Sequence, residues 1–394
     1  MKKKKLYLLM QEFPVVQREA SFIAPELPYL KENFDVTIVP LQRCSHSPVA
    51  RVVALAKSLV SPMLYRQVLK AKKLGKSPFK VFQFALFMLW RANTYAAYLK
   101  KHVFTEKDAI VYGYWYNEIV LSALLLKKQF PQYRYITRCH GYDVYDFRVP
   151  GGYHPYKEFM DSRLDRIIFA CGDAKKYYLD RHNKTESPKY VLSHLGVPPK
   201  NIDPNKTNHD KDTLTLVSCS AVIGLKRIHL IVDALAQIND FDVHWHHFGD
   251  GDQMNNLKER AAQLDTKENI KYTLHGFVAN GEYIETLGSM GADLFITTSS
   301  TEGGVPVSLS EAASFGIACI GTDVGGIPEL VSDKNGTLLC ADPTAAQVAE
   351  AIADFYYLSS EQKNQKGDNS YKIWQSLFNS ETNAKNVIEL LKQL

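Results

Sequence analysis

No acidic residue occurs between Asp35 and Glu106 in this 394-residue sequence, although Asp and Glu together number 42. Other absences narrow the field further. The six cysteines (Cys44, Cys139, Cys171, Cys219, Cys319 and Cys340) lie far apart, with no C-x-x-C pair and no histidine at metal-ligand spacing, which argues against a disulfide framework or a structural zinc site. They read as buried small hydrophobes in a reducing, cytoplasmic compartment. No apolar run is long enough to span a bilayer: the most apolar stretch, 81–90, is broken by Gln83 and is half a span. The apolar residues 6–10 stop at Gln11-Glu12, short of the roughly 7–15 residues a signal-peptide core needs, and read as a first β-strand. A G-x-G-x-x-G fingerprint is also missing. Gly249-Asp250-Gly251 has Met254 where a third glycine would stand, which argues against a dinucleotide oxidoreductase.

What is present describes a folded α/β protein. Hydrophobic residues make up 45% and charged residues 23%, and the length suits two domains. Residues 1–100 hold 17 Lys+Arg against 5 Asp+Glu, a net of +12; the whole chain carries +5, so the remainder carries −7. Lys70, Lys72, Lys73, Lys76 and Lys80 cluster before the apolar run 79–90. That run reads either as an apolar helix docked on an anionic membrane face or as a core helix with a solvated charged side. No helix-turn-helix, RRM or zinc module accompanies the charge, so nucleic acid is not expected as a partner.

Short apolar strands alternate with helical patterns, as in βαβ units on a parallel sheet. The first series places strands at 6–10, 36–39, 109–111, 135–137, 167–170 and 190–192. Residues 196–212, rich in Pro, Asn, Lys and Asp, read as a linker. A second series follows at 215–219, 243–248, 270–274, 294–297, 318–320 and 337–339, with helices over 227–237 and 345–357. The expected domains are 1–205 and 206–370, both Rossmann-like, with 371–394 as one amphipathic helix packing back on the first domain.

Ligands of open α/β sheets bind beyond the carboxyl ends of the strands, so function is expected in the loops that follow them. After strand 294–297 comes Ser299-Ser300-Thr301-Glu302-Gly303-Gly304-Val305-Pro306-Val307-Ser308-Leu309-Ser310-Glu311, a glycine-containing loop feeding a helix that ends at Gly316. Such a loop offers main-chain N–H groups and a helix N-terminus to a phosphate. Glu311 on that helix suits the two hydroxyls of a ribose, and Glu302 faces a transferred sugar. Two carboxylates beside a phosphate site favour a polyhydroxylated ligand. Lys226 and Arg227, after strand 215–219, sit where a diphosphate needs charge neutralisation.

Together with Gly321-Thr322-Asp323-Val324-Gly325-Gly326-Ile327-Pro328-Glu329, Trp245-His246-His247-Phe248-Gly249-Asp250-Gly251 and Gly276-Phe277-Val278, this array resembles glycosyltransferase family 4, also called glycosyl transferases group 1. The likeness covers the C-terminal half, from Ser218 to about Val331. The family spaces its two glutamates by seven residues; here Glu302 and Glu311 have eight between them. Relatives also carry an arginine at what corresponds to Ala221, a loss Arg227 would cover. In the first half, Arg18-Glu19-Ala20-Ser21-Phe22-Ile23 and Arg138-Cys139-His140-Gly141-Tyr142-Asp143 resemble the family's first loop and its His-Gly-x-Asp stretch.

The resemblance implies a GT-B fold, two doubly wound Rossmann-like domains facing a central cleft with the C-terminal helix crossing back to the first. It implies a retaining hexosyltransferase that uses a UDP- or GDP-sugar, needs no metal or other cofactor, and builds cell-surface polysaccharide on a saccharide or lipid-linked saccharide acceptor. His140 and Glu302 are then the catalytic candidates. Lys226, Arg227, Phe277, Val278, Gly303, Gly304, Val305, Pro306 and Glu311 would bind the donor, and Glu19, Phe22, Arg138 and Asp143 lie on the acceptor side. An anionic membrane surface is a further expected partner, with the protein peripheral on the inner face of the cell membrane. The rival readings are an inactive GT-B scaffold of a polysaccharide assembly complex and a nucleotide-sugar epimerase.

Overall fold

The computed structural model describes residues 3–11, 22–42, 47–199 and 212–394. They form two compact units, Met1–His194 with Ala384–Leu394, and Leu195–Asn383.

The first unit is built on a six-stranded sheet, β1 (Lys5–Met10), β2 (Asp35–Pro40), β3 (Ile110–Gly113), β4 (Arg134–Cys139), β5 (Arg166–Phe169) and β6 (Tyr190–Leu192). Its strand order is β2-β1-β3-β4-β5-β6, and every pairing is parallel. Strand β1 shows why the strands read as continuous apolar runs: Leu6, Leu8 and Met10 enter one core, and Tyr7 and Leu9 enter the other. Helices cover both faces: α1 (Leu27–Asn33), α2 (Pro48–Leu59), α3 (Pro62–Lys73), α4 (Pro78–His102), α5 (Glu118–Leu124), α6 (Lys157–Asp161) and α7 (Gly172–Arg181).

Three Ser-Pro dipeptides start α2, α3 and α4. Ser47, Ser61 and Ser77 accept hydrogen bonds from Ala50, Met63 and Lys80 N–H, and each proline fills the first helical position. The 25-residue α4 turns Val81, Ala85, Met88, Leu89 and Ala92 into the core. The apolar run 79–90 is therefore mainly a core helix, and of its large residues Phe79 and Phe87 stay exposed. No helix among the described residues is long and apolar enough to cross a membrane.

The second unit repeats the plan with β7 (Thr213–Cys219), β8 (Asp242–Phe248), β9 (Ile270–Gly276), β10 (Leu294–Thr297), β11 (Ala318–Thr322) and β12 (Gly336–Leu339), again all parallel, in the order β12-β11-β10-β7-β8-β9. Its helices are α8 (His229–Leu235), α9 (Met254–Ala261), α10 (Asn280–Ser289), α11 (Val307–Ser314), α12 (Ala345–Tyr356) and α13 (Ser360–Ile373). Helix α8 is shorter than the expected 227–237 because Arg227 is left-handed (φ 49°, ψ 39°) and stands outside it.

The C-terminal segment corrects the single helix expected over 371–394. A wide turn at Trp374–Phe378 and the extended Asn379 interrupt it before α14 (Ser380–Lys392). Trp374 and Phe378 are buried in the second unit's core with Val217, Leu309 and Val331. Only the far end joins the first unit, where Val387, Ile388 and Leu391 pack with Leu6 and Leu8. The division likewise falls at His194/Leu195 rather than 205/206. Val197 N–H donates to Phe378 O at 2.8 Å and Ser380 N–H to Val197 O at 3.1 Å, tying the segment after the division to the turn. Gly196 is required there, since a Cβ would lie 2.2 Å from Ser380 Cα. Trp374→Ala should cost the second unit roughly 3–5 kcal/mol, as large-to-small core truncations do. A denaturant midpoint unchanged from wild type would show that the indole is not core.

Candidate functional site

In each sheet the strand order reverses at one place, and an open α/β sheet leaves its crevice there. In the second unit the reversal lies between β7 and β10. The loops leaving those two strands, 220–227 and 298–306, carry most of the sequence candidates and are stitched together. Ser300 N–H donates to Leu225 O at 2.8 Å, and the Thr298 hydroxyl lies 3.1 and 3.0 Å from the carbonyls of Lys226 and Arg227. Lys226 Nζ and Glu302 Oε1 form a close ion pair, with side chains 17% and 13% exposed, so a cation and a carboxylate face each other at the rim. Gly325 (φ +56°) lets the next glycine loop close on them, since a Cβ there would sit 2.3 Å from Glu302 O.

Arg227 does not offer its charge to a ligand. Its guanidinium donates to Thr298 O (2.8 Å), Ser299 O (3.0 Å), Ala341 O (2.8 Å) and the Asp342 carboxylate (2.6 Å). The expectation that Arg227 neutralises a diphosphate, or covers the arginine missing at Ala221, is thus corrected: its fork is spent on holding main chain.

Pro306 stops the loop and starts α11. Leu309 and Ser310 N–H both return to Pro306 O, while the N–H groups ahead of them have no intrahelical acceptor. Ser308 Oγ donates to Cys219 O at 2.7 Å, fixing the helix start against the end of β7. Gly303, Gly304 and the buried Val305 occupy the turn that leads in. Glu311 lies in the second turn, 6% exposed, and its Oε1 accepts from Asn280 Nδ2 at 2.8 Å. Asn280 begins α10, directly after the loop that carries Phe277 and Val278. Phe277 is 60% exposed and Val278 half-buried. Lys226, Glu302, the loop 303–306, Glu311, Phe277 and Val278 thus all belong to loops or helix starts at the carboxyl ends of β7, β9 and β10.

The first unit treats its candidates differently. His140 follows β4 and is buried, its ring 4.2 Å from that of Trp115 and 5.5 Å from those of Phe22 and Tyr114. Its Nε2 lies 3.0 Å from Tyr114 O, a contact that requires the proton on Nε2. Burial, reinforced by nearby Arg138, pushes its pKa down to about 3, so the ring is neutral at ordinary pH. Phe22 is half-buried beside it. Glu19 lies outside the described residues.

Arg138 is corrected from an acceptor-side ligand to a part of the frame; Asp143 braces the same frame and also lines the cavity described below. Arg138 is 1% exposed and donates to Tyr112 Oη (2.9 Å), Ser193 O (3.0 Å) and the Glu26 carboxylate (2.9 Å). Asp143 accepts from Tyr116 N–H at 2.7 Å and His140 N–H at 2.5 Å. Burial pushes its carboxyl up to about 6 against the pull of buried Lys157, whose ammonium binds Tyr116 O and Asp143 O.

The sequence reading missed a cavity of about 210 Å³ at this sheet's own reversal point, between β1 and β3. Gln11, Gln42, Arg91, Asn117, Glu118 and Tyr142 line it, with Phe87 as an apolar wall and Asp143 in its back. Arg91 Nε meets Glu118 Oε1 at 3.1 Å, and burial raises the Glu118 pKa against that partner. A wider groove of about 770 Å³ shares Phe84, Phe87 and Tyr142 and adds Lys80, Gln83 and Pro150. Two signals were readable: Asn117-Glu118 opens a helix three residues after β3, and Arg91 is a lone cation after the apolar run of α4. Among the described residues no three His, Cys, Asp or Glu side chains converge as metal ligands.

A structural rather than ligand-binding role for Arg138 has a measurable consequence. Arg138→Ala strands the buried Glu26 carboxylate and should destabilise the first unit by about 3–5 kcal/mol. If instead stability is kept and only catalysis falls, the framework assignment fails.

Residues 199–373 match the family described as Glycosyl transferases group 1. The putative colanic acid biosynthesis glycosyltransferase WcaL of Escherichia coli K12 is 26% identical over 236 residues, 57% of this chain and 56% of WcaL. The chain spans a little over half the length of the curated relatives it matches first. Among solved structures, a glycosyltransferase from Rickettsia africae superposes with a TM-score of 0.67 at 17% identity, covering 100% of this chain and 99% of that one. Anabaena HepE in complex with UDP gives a TM-score of 0.64 at 13% identity, covering 99% and 100%. Those likenesses are of fold, and the fold is GT-B, with two Rossmann-like units in one chain. The family match thus covers most of the second unit, and the fold that the whole chain shares with these solved glycosyltransferases is GT-B.

Proposed function

We propose that this protein is a retaining, metal-independent glycosyltransferase. It moves a hexose from a UDP- or GDP-linked donor onto a saccharide or lipid-linked saccharide in cell-surface polysaccharide synthesis. The observation that carries this reading is the grouping of Lys226, Glu302, the amide-bearing start of α11 and the buried Glu311 on loops and helix starts after β7 and β10. The naming of WcaL as a colanic acid glycosyltransferase and of HepE in complex with UDP supports the donor and pathway class.

Each group has a task its chemistry suits. Glu311 is a buried carboxylate that accepts from Asn280, and the paired hydroxyls of a ribose are donors that suit a carboxylate at such a position. The N–H groups opening α11, with the positive end of its dipole, suit the phosphates. As the sugar–phosphate bond breaks, negative charge grows on the departing diphosphate, and Lys226 with those amides would stabilise it in the place a metal takes elsewhere. Glu302 keeps that ammonium neutralised until the donor arrives, and is then free to accept from the transferred sugar's hydroxyls.

His140, neutral and held through Nε2, suits hydrogen bonding to a sugar hydroxyl rather than proton uptake. This supports a front-face path in which the new glycosidic bond forms on the face the diphosphate leaves. The departing phosphate oxygen takes the acceptor's proton, so the anomeric configuration is kept. The acceptor is assigned to the first unit's cavity, where Gln42, Asn117 and the Arg91–Glu118 pair offer the mixed donors and acceptors a saccharide needs. The same reading places the protein in the cytoplasm, against the inner face of the cell membrane.

Two experiments decide it. UDP-sugars or GDP-sugars should raise the melting temperature of the wild-type protein, because they bind the native state. Glu311→Ala should abolish both that rise and sugar transfer; wild-type turnover in this variant would remove the ribose assignment, and a retained rise without turnover even in wild type would favour an inactive scaffold. Separately, EDTA should leave transfer unchanged while Lys226→Ala lowers kcat by about 10²-fold or more. A strict requirement for Mg²⁺ would overturn the charge argument.

A further inference from the structure

Ten of the seventeen exposed large hydrophobic side chains among the described residues fall between Val49 and Phe87. They are not a by-product of core packing. Helix α2 buries Ala54 and Ser58 towards α4, where Asn93 Nδ2 donates to Ser58 Oγ at 2.9 Å and Trp90 Nε1 to Arg51 O at 3.0 Å. Its other side presents Val49, Val52, Val53 and Val60, which are 73%, 67%, 60% and 77% exposed. Helix α3 buries Leu64, Gln67 and Ala71 and presents Tyr65, Leu69 and Leu74, exposed by 49%, 62% and 49%. Phe79, at the start of α4, is 69% exposed.

The same segment carries eight cations, Arg51, Lys57, Arg66, Lys70, Lys72, Lys73, Lys76 and Lys80, with no carboxylate in the sequence from 36 to 105. Among the described residues only Lys70 of these eight is ion-paired, with Glu158. Solvent-facing helices do not ordinarily carry valine at four outward positions, and a contiguous exposed apolar patch marks a binding surface. Protein partners of matching charge would leave the valines against water or need an acidic apolar patch. A bilayer with anionic headgroups meets both halves at once, taking the apolar side chains into the acyl boundary and the cations at the phosphate level.

We infer that the outer faces of α2 and α3, with the first turn of α4, form a docking surface for an anionic lipid bilayer. This differs from the apolar run 79–90 that the sequence suggested, since most of that run is core. The docked face also has a purpose. Lys80 and Phe87 line the 770 Å³ groove next to the acceptor cavity, so a headgroup-level surface leads directly to it. The inference rests on the proposed sugar-transfer reading for that purpose, a lipid-linked saccharide acceptor; the surface itself stands without it.

Sedimentation of the full-length chain with phosphatidylcholine vesicles, and with vesicles mixed with phosphatidylglycerol, tests it. The protein should pellet with the anionic vesicles and be released near 1 M salt, where screening shortens to about 3 Å. Lys72→Glu/Lys73→Glu should weaken that partitioning at least about tenfold. Val52→Asp/Val53→Asp should weaken it while keeping the wild-type melting temperature and the rise with UDP- or GDP-sugar. That last measurement separates the two ideas: no rise in wild type would sink the donor reading, whereas unaltered vesicle binding by both double variants would sink the docking surface. Equal binding to neutral vesicles would also refute it, as would failure to bind either kind. So would a wild-type dimer in light scattering that Val52→Asp/Val53→Asp dissolves without any change in vesicle binding.

Discussion

The Arg227 guanidinium is the contact on which the second unit's candidate site depends. One planar fork takes three main-chain carbonyls and one carboxylate, so the ends of β10 and β12 and the turn after β7 are held to one rigid group. A residue that must stand in left-handed backbone to do this is a strained choice, costing of order 1 kcal/mol or more, and the four bonds offset it. With Arg227 fixed, Lys226 has little freedom in where its side chain leaves the backbone. Its ammonium then meets Glu302, and both stand beside the opening turn of α11. For the proposed sugar transfer this is preorganisation: the charge is placed before the donor arrives.

The first unit uses the same physics to another end. Arg138, Asp143 and Lys157 are charged and lie at or after strand ends, yet each is consumed by carbonyls, amides or an internal partner. They hold the 140–143 turn so that Tyr142 and the Asn117-Glu118 helix start border an open cavity. Charge near a strand end therefore carries two meanings that sequence cannot separate: a ligand group with spare hydrogen-bonding capacity, or a brace that has none. Arg138 and Arg227 were both expected to be the first, and the geometry makes both the second.

What sequence could show follows from the range of the interactions involved. Strands were legible because a parallel sheet covered on both faces demands short continuous apolar runs, and all twelve expected strands lie within a residue or two of those found. The rule about strand ends located Lys226, Glu302 and Glu311 correctly on loops and helices after strands. Long-range facts were not legible. Nothing near Trp374 announces that its indole belongs with Val217 and Val331, and so the periodicity of 371–394 reads as one unbroken helix. Nothing in 79–90 separates an apolar helix facing core from one facing lipid. The difference lies in α2 and α3, whose valines and leucines are spaced for two faces, of which α4 covers one.

The extra residue between Glu302 and Glu311 shows why motif spacing is a weaker constraint than it looks. Spacing matters inside a helix, where one inserted residue rotates everything beyond it by about a quarter turn. Here Gly303 and Gly304 precede Pro306, and α11 begins only at Val307, so the insertion falls wholly in the loop. Lengthening a loop by one residue costs a small fraction of a kcal/mol in closure entropy. Both ends are pinned independently: Glu302 by Lys226 and by the close approach of Gly325, and α11 by the Ser308 bond to Cys219 O. Glu311 accordingly keeps its phase on the helix and its bond to Asn280, and the loop alone takes up the added length.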